Sequence, residues 1–359
     1  MLLLDKICKR LSIKNTAICA CSLLMMSGSQ IALAGDAPPK YEIEELGRSS
    51  WGLVICEDIN NYGWVSGLFD WGETFGEARH AVVWIDGEMI DLTPQDYILA
   101  ATAPALNDSG VVVGSYQTDG SELSGGFRWV DGKFEVLPTF APGHQSAQGV
   151  DENGNIYGRA MHENFQADPT AWDPQLNDYR IGSFGFGGNT FSANGWGQIV
   201  GSSSHDYYDT HAFVWEDGVM GDIGTLPNYR IARAYAINNK NEAVGYSGAM
   251  VDDHAFYWTK ETGMIDLGNL GYSWGSSASD INDDGVIVGY STRHDGRVAA
   301  VWHDFMIYDL NTLLVNGNGW RLGSANGINE LGQIVGMAYR NGVGVGYVAT
   351  PVDTPMTTV

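Results

Sequence analysis

The chain has 359 residues, 19 basic against 43 acidic, for a formal charge of −24. So acidic a polypeptide is a poor general binder of nucleic acid or anionic membrane. At 44% hydrophobic and with only four cysteines, it is long enough for a large core and is not a disulfide-framed miniature.

Taken in order, residues 1–34 read as a signal peptide. Lys6, Lys9, Arg10 and Lys14 form a basic start, and an apolar stretch over residues 16–34 ends in Ala32-Leu33-Ala34, an A-x-A cleavage site. Ser27, Ser29 and Gln30 interrupt that stretch, which argues against a stable membrane span. Cys8, Cys19 and Cys21 leave with the leader, so Cys56 has no partner for an internal disulfide. Without the leader the charge is −27. The expected product is an acidic monomer that is secreted or periplasmic. Residues 35–40 form a linker, residues 41–351 the folded domain, and residues 352–359 a polar tail.

Within the domain one pattern comes round seven times, most cleanly over residues 234–268. An asparagine or aspartate marks each turn: Asn60, Asn107, Asp151, Asn194, Asn238, Asn282 and Asn329, at steps of 47, 44, 43, 44, 44 and 47 residues. Three residues on stand Gly63, Gly110, Gly154, Gly197, Asn241, Gly285 and Gly332; asparagine is the non-glycine residue that best tolerates positive φ. A tight hairpin turn is predicted there. Seven residues on, a glycine is invariant (Gly67, Gly114, Gly158, Gly201, Gly245, Gly289, Gly336), predicting a bulge or a close backbone approach. Four residues before the mark stand Cys56, Ala103, Ala147, Thr190, Ala234, Ala278 and Ala325, so the site is crowded and Cys56 reads as a buried structural thiol.

The third apolar run of each unit ends in Trp84, Trp129, Trp172, Trp215, Trp258 or Trp302, with Ala349 in the seventh. Rings at one repeat position read as wedges between sheets. The fourth run lies at residues 89–92, 134–137, 179–181, 220–223, 264–267 and 306–310. The seventh unit lacks it, and residues 41–47 (YEIEELG) supply a copy at the other end of the chain. Four strands at this period, with the first strand completing the last sheet, predict an all-β, seven-bladed β-propeller with no open edge.

The wording of the units, INNKNEAVGYS, HAFYW and GMIDLG, resembles the HAF-repeat family of extracellular bacterial proteins. The triplet stands at residues 211–213 and 254–256, while units two, three, six and seven lack its histidine. The resemblance spans roughly residues 41–351. It implies export and a repeat fold, and no particular reaction.

In a propeller, the loops joining strands two to three and four to the next blade share one face. Here they are the longer ones: residues 69–79, 94–102, 116–124, 138–146, 159–168, 203–210 and 311–321. Irregular loops on a rigid scaffold are where binding residues concentrate. His80, His211 and His254 recur at the start of the third strand and read as structural, and His303 as surface. His144, His162, His205 and His294 do not recur and fall on the long-loop face. His144, His162, Tyr207 and Arg230 form the candidate catalytic set, in which arginine pairs with a substrate carboxylate and histidine or tyrosine moves protons. His205, Tyr208, Arg233 and Arg159 are the candidate ligand-binding residues. Nine of the arginines expected in the mature chain (48, 79, 159, 230, 233, 293, 297, 321 and 340) fall on this face, a possible anion-binding mouth. The acidic turns at residues 151–154 and 282–285 lack the ligand spacing of a calcium loop, and turn chemistry explains them. No His/Cys spacing for zinc, no phosphate loop and no G-x-S-x-G elbow occurs, so no metal or cofactor is expected. The leading function is a binding module for extracellular polysaccharide or protein. The alternative is a polysaccharide lyase acting by β-elimination on a uronic-acid-containing glycan.

Overall fold

The asparagine turns organise the local structure. At the seven third positions φ lies between +63° (Asn241) and +82° (Gly154 and Gly197). The entering side chain closes the turn: Asn238 Oδ1 accepts the amides of Lys240 and Glu242, each at 3.0 Å. The computed structural model describes residues 37–49, 53–70, 79–93, 98–118, 124–138, 145–161, 167–248, 252–271 and 274–352. Residues from Pro39 onward form one compact unit, described here by itself.

The invariant glycine faces a bulge. In unit five Gly245 pairs with Ala234, and the register of the first strand slips between Ala234 and Ala236. Equivalent slips occur at Cys56/Asp58, Ala147/Gly149, Thr190/Ser192, Ala278/Asp280 and Ala325/Gly327. A Cβ on Gly245 would lie 2.9 Å from the Arg233 carbonyl carbon, so two backbones meet where only glycine fits. The small residue opposite is fully buried in every unit, Cys56 included, and burial pushes that thiol far above its ordinary range. A bulge leaves one residue out of the ladder and re-aims its side chain; in unit five that residue is Tyr235.

Units three to six each form a four-stranded antiparallel sheet in chain order. Units one and two do the same and are joined by one parallel bridge, Arg79 to Ala100. The last sheet takes three strands from the C-terminal end (Trp320–Ile328, Ile334–Arg340, Val343–Val352) and its fourth from Lys40–Arg48, running from Lys40 opposite Val352 to Arg48 opposite Val345. The first strands of successive units adjoin one another, and the last adjoins the first.

A ladder of asparagine amides follows the same circuit. Nδ2 of Asn60 donates to the Asn107 carbonyl, Asn107 to Asp151, Asn194 to Asn238, Asn238 to Asn282, Asn282 to Asn329, and Asn329 back to Asn60, at 2.8–3.2 Å. The link from Asp151 onward is missing because a carboxylate has no N–H to give. Asp151 instead accepts Asn155 and the Tyr157 hydroxyl, which supports reading that acidic loop as a turn.

The core lies between neighbouring sheets. Trp84, Trp172 and Trp302 are fully buried, and Trp302 Nε1 donates to the Leu267 carbonyl of the preceding unit. Trp129, Trp215 and Trp258 are only partly buried, so the wedge is less complete in units two, four and five. Two expectations need correction. Residues 203–210 are not an irregular loop: strands Ile199–Asp206 and Asp209–Glu216 meet at a two-residue turn, Tyr207-Tyr208. The Ser204 and Thr210 hydroxyls bond across it, and the Thr210 amide reaches the Arg230 carbonyl, which extends the hairpin. The strand at residues 306–310 ends at Asp309, whose carboxylate caps a short 3₁₀ turn over Leu310–Leu313. Among the described residues no helix is long and apolar enough to cross a membrane.

Candidate functional site

The histidines at the start of the third strand belong to the scaffold. His80 bonds Asp91 at 2.7 Å, His211 bonds Asp222 at 2.9 Å, and His254 bonds Asp266 at 2.9 Å, each aspartate lying on the fourth strand of the same unit. That carboxylate also accepts the amide two residues on, from Thr93, Gly224 or Gly268, and so shapes the turn leaving the sheet. Unit three reverses the charges: Asp168 stands at the histidine position and pairs with Arg180 at the aspartate position. In units six and seven the carboxylate (Asp309, Glu45) is met instead by an arginine from the second strand, Arg293 at 3.1 Å and Arg340 at 2.9 Å.

Non-repeating chemistry gathers at the inner strands of units five and six. The bulged Tyr235 lies 5.7 Å from Tyr246 and 5.1 Å from Phe191 of unit four, ring centre to ring centre. Arg297 stands over the Tyr290 ring at 4.1 Å, a cation–π arrangement. Burial, and then the neighbouring Tyr246, push the Tyr235 phenol up, while Arg233 works the other way; Tyr246 is raised by burial. Burial also raises the Asp253 carboxyl against the pull of Arg297 and Arg233. Its Oδ1 is buried and has no hydrogen-bond partner among the described residues; a buried polar atom of this kind calls for an explanation. Beside the cluster, the Tyr229 hydroxyl donates to Asp252 at 2.8 Å, and that bond pushes its pKa up to about 12. At neutral pH these phenols are proton donors, not bases.

Of the residues singled out from the sequence, the described ones take three places: His205, Tyr207, Tyr208 and Arg230 at one hairpin, Arg233 among the tyrosines, and Arg159 on unit three. Tyr207 and Tyr208 form the hairpin tip, 78% and 74% exposed, with ring centres 5.2 Å apart. Arg230 is exposed and its carbonyl holds the foot of that hairpin. Arg233 belongs to the Tyr235 cluster. Arg159 is exposed on the second strand of unit three, one residue after the repeat glycine, where units five and six carry Tyr246 and Tyr290. His205 bonds Asp222 at 3.0 Å, away from the tyrosines of its own turn. His144 and His162 lie outside the described residues. Part of the arginine-rich mouth is occupied: Arg48 and Arg340 pair with Glu45, Arg293 pairs with Asp309, and Arg321 donates to the Asp295 carbonyl. Sequence reading passed over Tyr235, Tyr246 and Tyr290. The available signal was an aromatic at the bulge position of units four and five (Phe191, Tyr235) and a tyrosine just after the repeat glycine of units five and six.

No family model matches the sequence, and no curated protein is significantly similar to it. Solved structures do match. The β-propeller domain of the Trilobed protease from Pyrococcus furiosus, described as having an open velcro topology, aligns with TM-score 0.56 and 10% identity over 84% of this chain and 96% of that one. Virginiamycin B lyase from Staphylococcus aureus gives 0.54 and 11% over 87% and 100%. A puromycin-hydrolysing peptidase from Mycobacterium tuberculosis gives 0.51 and 12% over 89% of this chain, which spans about half (55%) of that protein. Identities this low speak to fold alone: the chain is an all-β protein of four-stranded antiparallel sheets with the fold of a β-propeller.

Proposed function

We propose that the chain is an exported, seven-bladed propeller, closed by its N-terminal strand, that binds an extracellular glycan at the Arg233–Tyr235–Tyr246–Asp253–Tyr290–Arg297 cluster. Export rests on the leader-like residues 1–34 and a HAF-like repeat. Closure is supported by the amide ladder that returns from Asn329 to Asn60 and by the pairing of Lys40–Arg48 with the last strand. The observation that carries the function is the Asp253 Oδ1, without a hydrogen-bond partner among the described residues, beside two arginines and three tyrosines. Flat rings give apolar faces to sugar C–H groups, while fixed arginine donors and a waiting carboxylate oxygen take hydroxyls. The exposed Tyr207-Tyr208 tip is a second contact for a longer chain.

The test is a titration of the purified protein with uncharged and uronic-acid oligosaccharides, followed by intrinsic fluorescence. Arg233→Ala and Tyr290→Ala should each weaken binding at least ~10-fold, about 1.4 kcal/mol, with unchanged melting. Absence of binding to both sugar classes, or unaltered binding by both variants, removes the proposal and leaves a protein partner to be sought. Absorbance from an unsaturated product would convert the binding site into that of a β-eliminating lyase.

A further inference from the structure

On unit four, two imidazoles converge on one carboxylate. His205 Nε2 lies 3.0 Å from Asp222 Oδ2 and His211 Nδ1 lies 2.9 Å from the same atom; the three donor atoms lie within 4.8 Å of one another. We infer that His205, His211 and Asp222 form a binding site for a divalent transition-metal ion of the zinc type.

The repeat explains why this set is more than a structural pair. Elsewhere the carboxylate is met by a third-strand histidine in units one and five, or by an arginine four residues after the repeat glycine in units six and seven, where Arg48 also pairs with Glu45. His205 occupies that arginine position, four residues after Gly201. Unit four therefore carries both supports, and the additional one is a group that can ligate where arginine cannot. Two imidazoles and a carboxylate are the donor set of a zinc-type ion, with a fourth position left for water or ligand.

The surroundings suit that role. The other nitrogen of His211, Nε2, lies 3.4 Å from Asp209 Oδ1, so a carboxylate stands behind the imidazole and orients the ring toward Asp222. Phe184 stacks on the His205 ring at 4.6 Å with planes 7° apart, which fixes its face. With bonds of about 2.1 Å, tetrahedral donors sit ~3.4 Å apart. Closing on an ion thus takes roughly 1 Å of side-chain movement by partly exposed groups.

The experiment uses Zn²⁺ alone, by calorimetry and thermal melting, and Co²⁺ as a visible-absorption probe. The expected result is one Zn²⁺ per chain, a rise in melting temperature of several degrees, and a Co²⁺ ligand-field spectrum. His205→Arg copies units six and seven, so it should fold normally and bind at least ~100-fold more weakly. His205→Gln, which keeps a hydrogen-bond donor for Asp222, gives the same readout if the arginine variant is unstable. Asp209→Asn should weaken binding ~10-fold, the effect of losing a positioning partner. Absence of stoichiometric Zn²⁺ in the parent protein, or equal binding after both His205 changes, overturns the inference.

Discussion

Gly245→Ala is the sharpest probe of the repeat. A Cβ at this position would lie 2.9 Å from the Arg233 carbonyl carbon and 3.0 Å from Ala234 Cα, and it would overlap the Arg233 carbonyl oxygen outright. Ordinary heavy-atom contacts are ~3.5–4.0 Å, so the first strand must retreat by at least ~0.5 Å at those two atoms and by more at the carbonyl oxygen. The strand also carries the fully buried Ala234 and the bulged Tyr235. Overpacking of this kind costs typically 1–3 kcal/mol, occasionally more. A rigid backbone on both sides of the contact places it at ~3 kcal/mol, or roughly 4–5 °C of melting temperature for a domain of this size. The control is Gly285→Asn. Gly285 has φ +80° and its nearest outside atom is 3.9 Å away, so only conformation is at stake. Asn241 already occupies the equivalent turn at φ +63°, so the change should cost less than ~1 kcal/mol. Differential scanning calorimetry of both proteins decides it. If Gly245→Ala melts within a degree of the parent, or below Gly285→Asn by no measurable margin, the close-approach argument is wrong. Shifted ligand titrations in Gly245→Ala would add that the bulge also aims Tyr235.

Deleting residues 37–48 should expose the edge of Val343–Val352 and produce association by size exclusion; a monomer with parental melting would refute closure by that strand. Burial and mutual repulsion raise the Asp58 and Asp280 carboxyls, and burial raises Glu57 to about 7. In the native state these groups hold protons that the unfolded chain releases near its ordinary values of 3.8–4.5. The neutral forms therefore stabilise at low pH, and stability is lost as pH rises from about 4.5 through 7 and above. Melting temperature should fall between pH 5 and pH 8, and Asp280→Asn should flatten the slope; a flat or rising parental profile contradicts the assignment. At the hairpin tip, Tyr207→Ala and Tyr208→Ala should leave melting unchanged, since both rings are more than 70% exposed. They should weaken binding only of oligosaccharides long enough to reach the Tyr235 cluster as well, and equal loss for short ones would relocate the site.

The sequence by itself determined what the backbone dictates locally. The positive-φ turns, the glycine opposite each bulge, the buried small residue at Cys56 or Ala234, and the missing fourth strand of the last unit are requirements of one residue on its near neighbours. Repeated seven times, they name the architecture. Even Asn241 in place of glycine was legible, because asparagine tolerates the same φ. Tertiary structure alone decided which side chains meet. His205 reaches Asp222 across 17 residues, Tyr235 meets Phe191 from the preceding unit, and the exposed Arg297 stands over the Tyr290 ring. No spacing rule predicts such contacts, because the bulge sets where each side chain is aimed and the packing of neighbouring sheets sets what it finds. The same distinction explains the arginine mouth: topology led to the expectation of nine guanidiniums on one face, but Glu45 and Asp309 engage three of them, and pairing energy depends on distances that only the folded structure fixes.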